Sequence, residues 1–223
     1  MKPCLMRAAA IALIFLAVVA GAPAALADEL DDALLALQER WAQAMYATTD
    51  SDARREALAR LTDEADELAA RHPRRAEPMI WEGIVLSTFA AERGGFPALR
   101  LAKQARERLE AALRIDPNAL GGSAHTSLGA LYLRVPGPPF GFGDPDRAEE
   151  HLLAALQLNP TGIDANFFYA EHLFEMRDHA GAVRHLERVL AAPPRPGRKL
   201  ADEGRRREAE ALMRRVRAAM SEH

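Results

Sequence analysis

Cysteine is almost absent from the 223-residue sequence, because the single one, Cys4, precedes the first apolar run. Beyond residue 27 the chain therefore has no disulfide, no thiol nucleophile and no cysteine-ligated metal. Aromatic residues make up 6% of the chain, and the net charge of −3 gives no excess of basic residues for nucleic-acid binding. Alanine, leucine, glutamate and arginine dominate instead, and this composition favours helices.

Long apolar runs are also absent after residue 27, which sets the first residues apart. Lys2 and Arg7 precede the apolar stretch 8–20, and Ala-Leu-Ala at 25–27 has the small residues of a cleavage site. The sequence predicts a signal peptide over residues 1–27 and a periplasmic or secreted protein with no stable membrane insertion after cleavage. An uncleaved anchor is the alternative, since residues 8–27 are uncharged and about as long as a membrane-spanning helix.

Four prolines stand at the ends of amphipathic stretches. Pro73, Pro117, Pro160 and Pro194 each close such a stretch, and they are 44, 43 and 34 residues apart. Thirty-four residues is the period of the tetratricopeptide repeat (TPR), a pair of antiparallel helices closed by a proline-containing turn. The spacing predicts an all-α, TPR-like α-solenoid over residues 28–194, followed by a linker and a C-terminal capping helix over 195–223. Small residues are expected where the helices of a pair cross, namely Gly129, Ala148 and Ala182.

The third pair carries an insertion rich in proline and glycine. Sixteen residues separate Tyr132 from Ala148, where the standard repeat has about nine. The inserted loop includes Phe140 and Phe142, and exposing two such rings is unfavourable. We expect them to dock on the array's own helices or on the neighbouring loop around Phe96, or else to cover a binding groove.

Three stretches carry a family resemblance: GSAHTSLGALYLRVPGPPFGFGDPDRAEEHLLAALQLNP, GIDANFFYAEHLFE and LAAPPRPGR. Together they resemble exported bacterial TPR proteins over roughly residues 28–194. The proline-glycine loop, followed by Gly-Asp and a helix, is similar to the periplasmic T-component of TRAP transporters. This resemblance implies the repeat fold and a role in binding rather than catalysis.

Helix A of each TPR pair normally lines the concave face, so its outward positions are candidate partner contacts. Asn166 is ambiguous, since its amide suits either a peptide backbone or the turn beneath it. The predicted partner-binding residues are Arg134, Phe140, Phe142, Asp164, Asn166, Phe167, Glu171 and Phe174. This mixture of aromatic, acidic and small residues suits an extended peptide or a small organic ligand better than a polyanion.

Catalytic and metal motifs are lacking. There is no nucleophile with a base at readable spacing and no cofactor loop, and the turn at 177–178 separates His172 and Glu175 from His179. We therefore expect no enzyme activity, no cofactor and no metal. The first hypothesis is a periplasmic interaction scaffold that binds a protein or peptide partner in its concave groove. The alternative is a transport accessory that binds a periplasmic substrate-binding protein or a hydrophobic ligand, and that forms an oligomer.

Overall fold

The structure is a computed structural model that describes residues 22–221. Residues 1–21, which hold most of the predicted signal peptide, lie outside the described residues. Within the described range the chain forms nine helices and no strand: α1 Ala22–Tyr46, α2 Ser51–Arg71, α3 Ala76–Arg93, α4 Gly95–Ile115, α5 Ala119–Arg134, α6 Pro145–Leu158, α7 Ile163–Glu175, α8 His179–Ala191 and α9 Lys199–Ser221. None of these nine helices combines the length and hydropathy that crossing a membrane requires.

The first eight helices form four consecutive pairs, as the proline spacing predicts, and the fold is a TPR-like α-solenoid. Local capping chemistry sets several of the helix starts. At α6 the Asp144 carboxylate accepts hydrogen bonds from the backbone N–H groups of Asp146 and Arg147, both at 3.1 Å, and Pro145 occupies the first turn. At α8 the Asp178 carboxylate accepts from the Gly181 N–H at 2.8 Å. These side chains satisfy donors that would otherwise lack partners.

Small residues allow the two helices of a pair to cross closely. A Cβ atom on Gly129 of α5 would lie 2.5 Å from Cγ of Leu152 on α6, and one on Gly83 of α3 would lie 2.6 Å from Cγ of Leu109 on α4. Ala148, whose carbonyl lies 3.2 Å from the Cβ position of Gly129, and Ala182 are both completely buried. Gly129 and Ala148 thus lie at the α5–α6 crossing, as predicted, and in this pair and in α3–α4 a leucine fills the space that a glycine leaves.

The helices lie in two layers. The odd-numbered helices α1, α3, α5, α7 and α9 contact one another in succession and form an inner layer. The even-numbered helices form an outer layer, in which each contacts the inner helix before it and the inner helix after it. The C-terminal helix α9 covers the last pair, as predicted, but it also contacts α1. The inner helices therefore close into a ring instead of ending as an open curved array.

Three contacts form the seam between the two ends of the chain. The Tyr46 ring of α1 lies in the space that Gly204 of α9 leaves by having no side chain. The Arg198 guanidinium donates to Oε1 of Gln38 over 3.0 Å, across 160 residues of sequence. Gly197 has a φ of 68° and lies so close to Leu35 that a Cβ would be 2.7 Å from Cδ1 of that leucine. The link between α8 and α9 is thus fitted against α1.

Candidate functional site

The ring encloses a cavity of about 660 Å³, a volume typical of ligand pockets. All five inner helices contribute to its wall. The residues from these helices are Trp41, Met45, Tyr46, Trp81, Ile84, Ser87, Thr88, Ala90, Ala91, Ser123, Thr126, Ser127, Ala130, Leu131, Arg134, Asp164, Phe168, Ala201, Arg205 and Glu208. The site therefore exists only because α1 and α9 meet, and neither helix was among the predicted site elements.

Aromatic rings form one side of the wall. Trp41 and Trp81 pack edge to face with centroids 5.8 Å apart. The indole N–H of Trp41 donates to the Thr88 hydroxyl over 3.1 Å, so its one polar atom is already satisfied. Because both tryptophans of the chain line the cavity, this region offers a ligand an apolar surface with few free hydrogen-bonding groups.

Two exposed aromatic rings lie at the mouth of the cavity. Phe96, at the start of α4, is 95% exposed, and Phe140, in the α5–α6 loop, is 78% exposed. Both residues line the cavity, and both lie where helix A is joined to helix B, on the same edge of the ring. The two alternatives predicted for the inserted loop apply to different rings, since Phe142 docks on the array's own helices and Phe140 lies at the cavity. Phe142 packs edge to face on Tyr132 at 5.7 Å and lies 4.4 Å from the Arg106 guanidinium, whereas Phe140 is undocked.

Backbone contacts fix the loop that carries Phe140. The Asp144 N–H donates to the Tyr132 carbonyl and the Gly143 N–H donates to the Pro136 carbonyl, both at 2.9 Å. A side chain at Gly143 would clash with the Val135 carbonyl, so glycine is required for this close approach. The loop is therefore a defined structure that holds the Phe140 ring at the mouth.

An ion cluster closes the wall at the α7–α9 side. Asp164 accepts from the guanidinium groups of Arg195 and Arg205, each at 2.9 Å. Arg195 also binds Asp202, with 2.6 Å between Nη2 and Oδ1, and Arg205 binds Glu208 at 2.5 Å. Burial opposes ionisation of Asp164, but Arg205 and Arg195 outweigh it and hold the pKa of that carboxyl well below its usual range. Asp164 is therefore on the wall, as predicted, but committed to ion pairs within the chain.

Two predicted contact residues of α7 are buried. Phe167 was expected on the concave surface, yet it is 3% exposed and packs against Phe168 and Arg205. Phe168 lines the cavity instead, because α7 is rotated by one residue, about 100°, from the predicted orientation. Asn166 is fully buried and its amide donates to the carbonyls of Pro160 and Gly162 at 3.0 and 2.9 Å. The alternative in which Asn166 satisfies the turn is the one observed.

The other predicted residues of the concave face separate into two groups. Arg134 lines the cavity, where it forms a 2.7 Å ion pair with Glu171 and lies 4.8 Å from the Phe168 ring. Glu171 and Phe174 lie beyond the cavity wall, and Phe174 packs near Arg215 of α9 at 5.1 Å. Among side chains that the structure describes, no three histidine, cysteine, aspartate or glutamate groups are placed to hold a metal ion.

Comparison with known proteins identifies the family. The family described as "TRAP transporter T-component" matches residues 33–219, a range that reaches into all nine helices. The chain is also similar to a solved structure of pilF from Pseudomonas aeruginosa, at 16% identity and a TM-score of 0.36, over 83% of this chain and 89% of that chain. That likeness is too distant to carry an argument, and no curated protein matches the sequence. Since the family match spans most of its length, the chain belongs to the TRAP transporter T-component family.

Proposed function

We propose that the protein is a non-catalytic periplasmic accessory of a TRAP transporter. In this role it holds a hydrophobic ligand in its central cavity and exchanges that ligand with a substrate-binding protein docked at the mouth. The observation that carries the proposal is the α1–α9 contact, which turns the inner helices into a ring around about 660 Å³ of largely apolar space. Membership of the T-component family supports a place in a transport system.

The shape of the cavity favours a compact ligand over an extended peptide. An open TPR array offers a groove along which a peptide lies, but here the two ends of the array meet at Tyr46 and Gly204. The wall of the resulting cavity presents tryptophan, phenylalanine, isoleucine and alanine side chains. Transfer of apolar surface from water to such a wall is favourable by roughly 25 cal/mol per Å², so a hydrophobic molecule gains most from entering.

The mouth supports the docking of a protein partner. Phe96 and Phe140 are almost fully exposed, although burying a phenylalanine is worth about 1.5–3 kcal/mol. Both rings are adjacent to the opening of the cavity. Exposed aromatic residues are enriched at protein interfaces, so a partner covering these rings would bring its own binding cleft over the mouth.

A cavity-filling variant tests the ligand site. Ser127 lines the cavity from α5 and makes no side-chain hydrogen bond to the described residues, so Ser127→Phe adds volume without breaking one. Binding of N-phenyl-1-naphthylamine, a neutral apolar fluorophore, should weaken at least tenfold in this variant. The matched control is Ser51→Phe, at an exposed position on α2. Equal binding by the wild-type chain and Ser127→Phe would place the ligand elsewhere and reject the cavity.

A second pair of variants tests the mouth. Phe140→Ser and Phe96→Ser should each raise the Kd for the substrate-binding protein of the same transporter by about 10- to 150-fold, which corresponds to the loss of one buried ring. Ile115→Ser is the control, because Ile115 is also an exposed apolar residue but ends α4 at the opposite edge of the ring. Surface plasmon resonance measures the Kd of each variant for the substrate-binding protein. An unchanged Kd in both phenylalanine variants would contradict docking at the mouth.

A further inference from the structure

Four arginines line the cavity, and three of them have carboxylate partners. Arg134 pairs with Glu171, Arg195 pairs with Asp164 and Asp202, and Arg205 pairs with Asp164 and Glu208. Burial alone would lower the pKa of Arg195, but Asp164 and Asp202 outweigh burial and raise it. The charge of each of these guanidinium groups is therefore compensated within the chain.

Arg198 differs, because no carboxylate of the described residues lies within ion-pair distance of its guanidinium. Its Nη1 donates to the neutral Gln38 amide, and the group lies over the Trp81 ring at 5.0 Å. Its Nε atom is buried and has no hydrogen-bond partner in the described part of the chain. Burial and the neighbouring Arg195 lower the pKa of Arg198, and the carboxylates of Asp164 and Asp202, which lie beyond ion-pair distance, offset this only in part. A half-buried guanidinium with one unsatisfied donor and no carboxylate in contact is unfavourable, and an anion in contact with it would offset that penalty.

The position of Arg198 makes it reachable from the cavity. It lies in the link before α9 and lines both the main cavity and a second cavity of about 220 Å³. The second cavity includes Leu120, Gly121, Asn159 and Gly162, which belong to the edge of the ring opposite Phe96 and Phe140. A molecule that fills the main cavity from its aromatic mouth therefore has its inner end near Arg198.

We propose that the ligand is a hydrophobic monocarboxylate whose carboxylate binds the Arg198 guanidinium while its hydrocarbon part fills the aromatic cavity. This inference rests on the proposed function and adds the chemical class of the ligand. A carboxylate matches the planar, multidonor guanidinium in shape as well as charge. Arg198 is the one arginine of the cavity wall that has no carboxylate of residues 22–221 in contact, so its guanidinium can bind one, whereas a second negative charge on the ligand would meet the carboxylates of Asp164 and Glu208 on the same wall.

Competition between two ligands of equal chain length tests the inference. Decanoate and decan-1-ol are used to displace N-phenyl-1-naphthylamine from the full chain at pH 8, where the acid is ionised. Decanoate should bind at least tenfold more tightly than decan-1-ol to the wild-type protein. In Arg198→Gln that preference should disappear, while decan-1-ol binds as before. Arg198→Lys, which keeps the charge, should retain part of the preference.

The matched control is Arg40→Gln, because Arg40 lies outside the cavity lining and is already paired with Glu64. This variant should keep the full preference for decanoate. Equal binding of decanoate and decan-1-ol to the wild-type chain would overturn the inference and leave the apolar cavity intact. A preference that persists in Arg198→Gln, or is lost equally in Arg40→Gln, would overturn the assignment to Arg198. Failure of the fluorophore and both competitors to bind would overturn the proposed function as well.

Discussion

Gly204 of α9 is the residue on which closure of the ring can be tested most directly. A Cβ atom added at this position would overlap with Cγ, Cδ1 and Cε1 of Tyr46 on α1. The tyrosine ring has little freedom to withdraw, since it packs edge to face against Trp41 with centroids 5.9 Å apart. Burial also raises the pKa of the Tyr46 hydroxyl to about 12, as expected for a ring enclosed at the seam. Gly204→Ala should therefore overpack the α1–α9 contact.

Two opposing effects determine the size of the change. Forcing a methyl group into a well-packed contact costs about 1–3 kcal/mol, whereas replacing glycine by alanine inside a helix gains about 0.5–1 kcal/mol. At the middle of both ranges the overpacking is the larger effect, so Gly204→Ala should lose a net of about 1 kcal/mol of unfolding free energy. For a chain of this length each kcal/mol shifts Tm by about 2–4 °C, which predicts a decrease of that size.

A double-mutant cycle separates the two effects. In a Tyr46→Ala background the obstruction is gone, so Gly204→Ala should become stabilising by about 0.5–1 kcal/mol through helix propensity alone. Thermal and urea unfolding, followed by circular dichroism at 222 nm, give the unfolding free energies of the wild type, the two single variants and the double variant. If Gly204→Ala stabilises the wild-type chain as much as the Tyr46→Ala chain, the two residues do not touch and the reasoning on closure is refuted.

Two further predictions concern pH. Burial raises the pKa of Glu82 to about 7 despite its contact with Arg108. The folded chain therefore keeps a proton on Glu82 that the unfolded chain loses near the ordinary pKa of 4.5. The stability that Glu82 contributes is fully present below pH 4.5 and is lost as the pH rises to 7. In urea titrations, the unfolding free energy of Glu82→Gln relative to wild type should therefore increase by about 1–3 kcal/mol from pH 5 to pH 8. The same difference between variant and wild type at both pH values would contradict this prediction. For Asp164, the lowered pKa gives stability that is fully present above its ordinary value of 3.8 and lost as pH falls below it. In Asp164→Asn the unfolding free energy should therefore decrease less between neutral and acid pH than in wild type. If it decreases by the same amount in both, Arg205 and Arg195 do not hold the carboxylate ionised.

The parts of the fold that the sequence predicted are those governed by local chemistry. Proline stops, the Asp144 cap and the small residues at 129, 148 and 182 each act within one helix pair. The α1–α9 seam joins residues that are far apart in sequence, so no repeat period signals it. One local feature was informative in retrospect. Gly204 is a glycine inside an otherwise strongly helical stretch, and such a glycine indicates a close neighbour.

The candidate site was predicted less well, because it depends on helix rotation and on the ring. One residue along a helix turns a side chain by about 100°, which is why Phe168 rather than Phe167 lines the cavity. Asp164 and Arg134 were placed on the correct wall. Trp41 and Arg198 were missed as cavity residues, because an open array would put its first helix and its last linker at opposite ends.

The two ends of the cavity differ in chemistry, and this difference orients any amphipathic occupant. Phe96 and Phe140 surround the mouth, whereas Arg198 lies at the inner end, between the main cavity and the smaller one. A ligand with an apolar tail and one negative charge therefore has one favourable direction, with its charge inward and its tail toward the docked partner. Reversal would place the charge against aromatic rings and leave Arg198 without a carboxylate partner. The ring thus determines the direction in which a ligand lies as well as enclosing it, and both properties depend on the seam between α1 and α9.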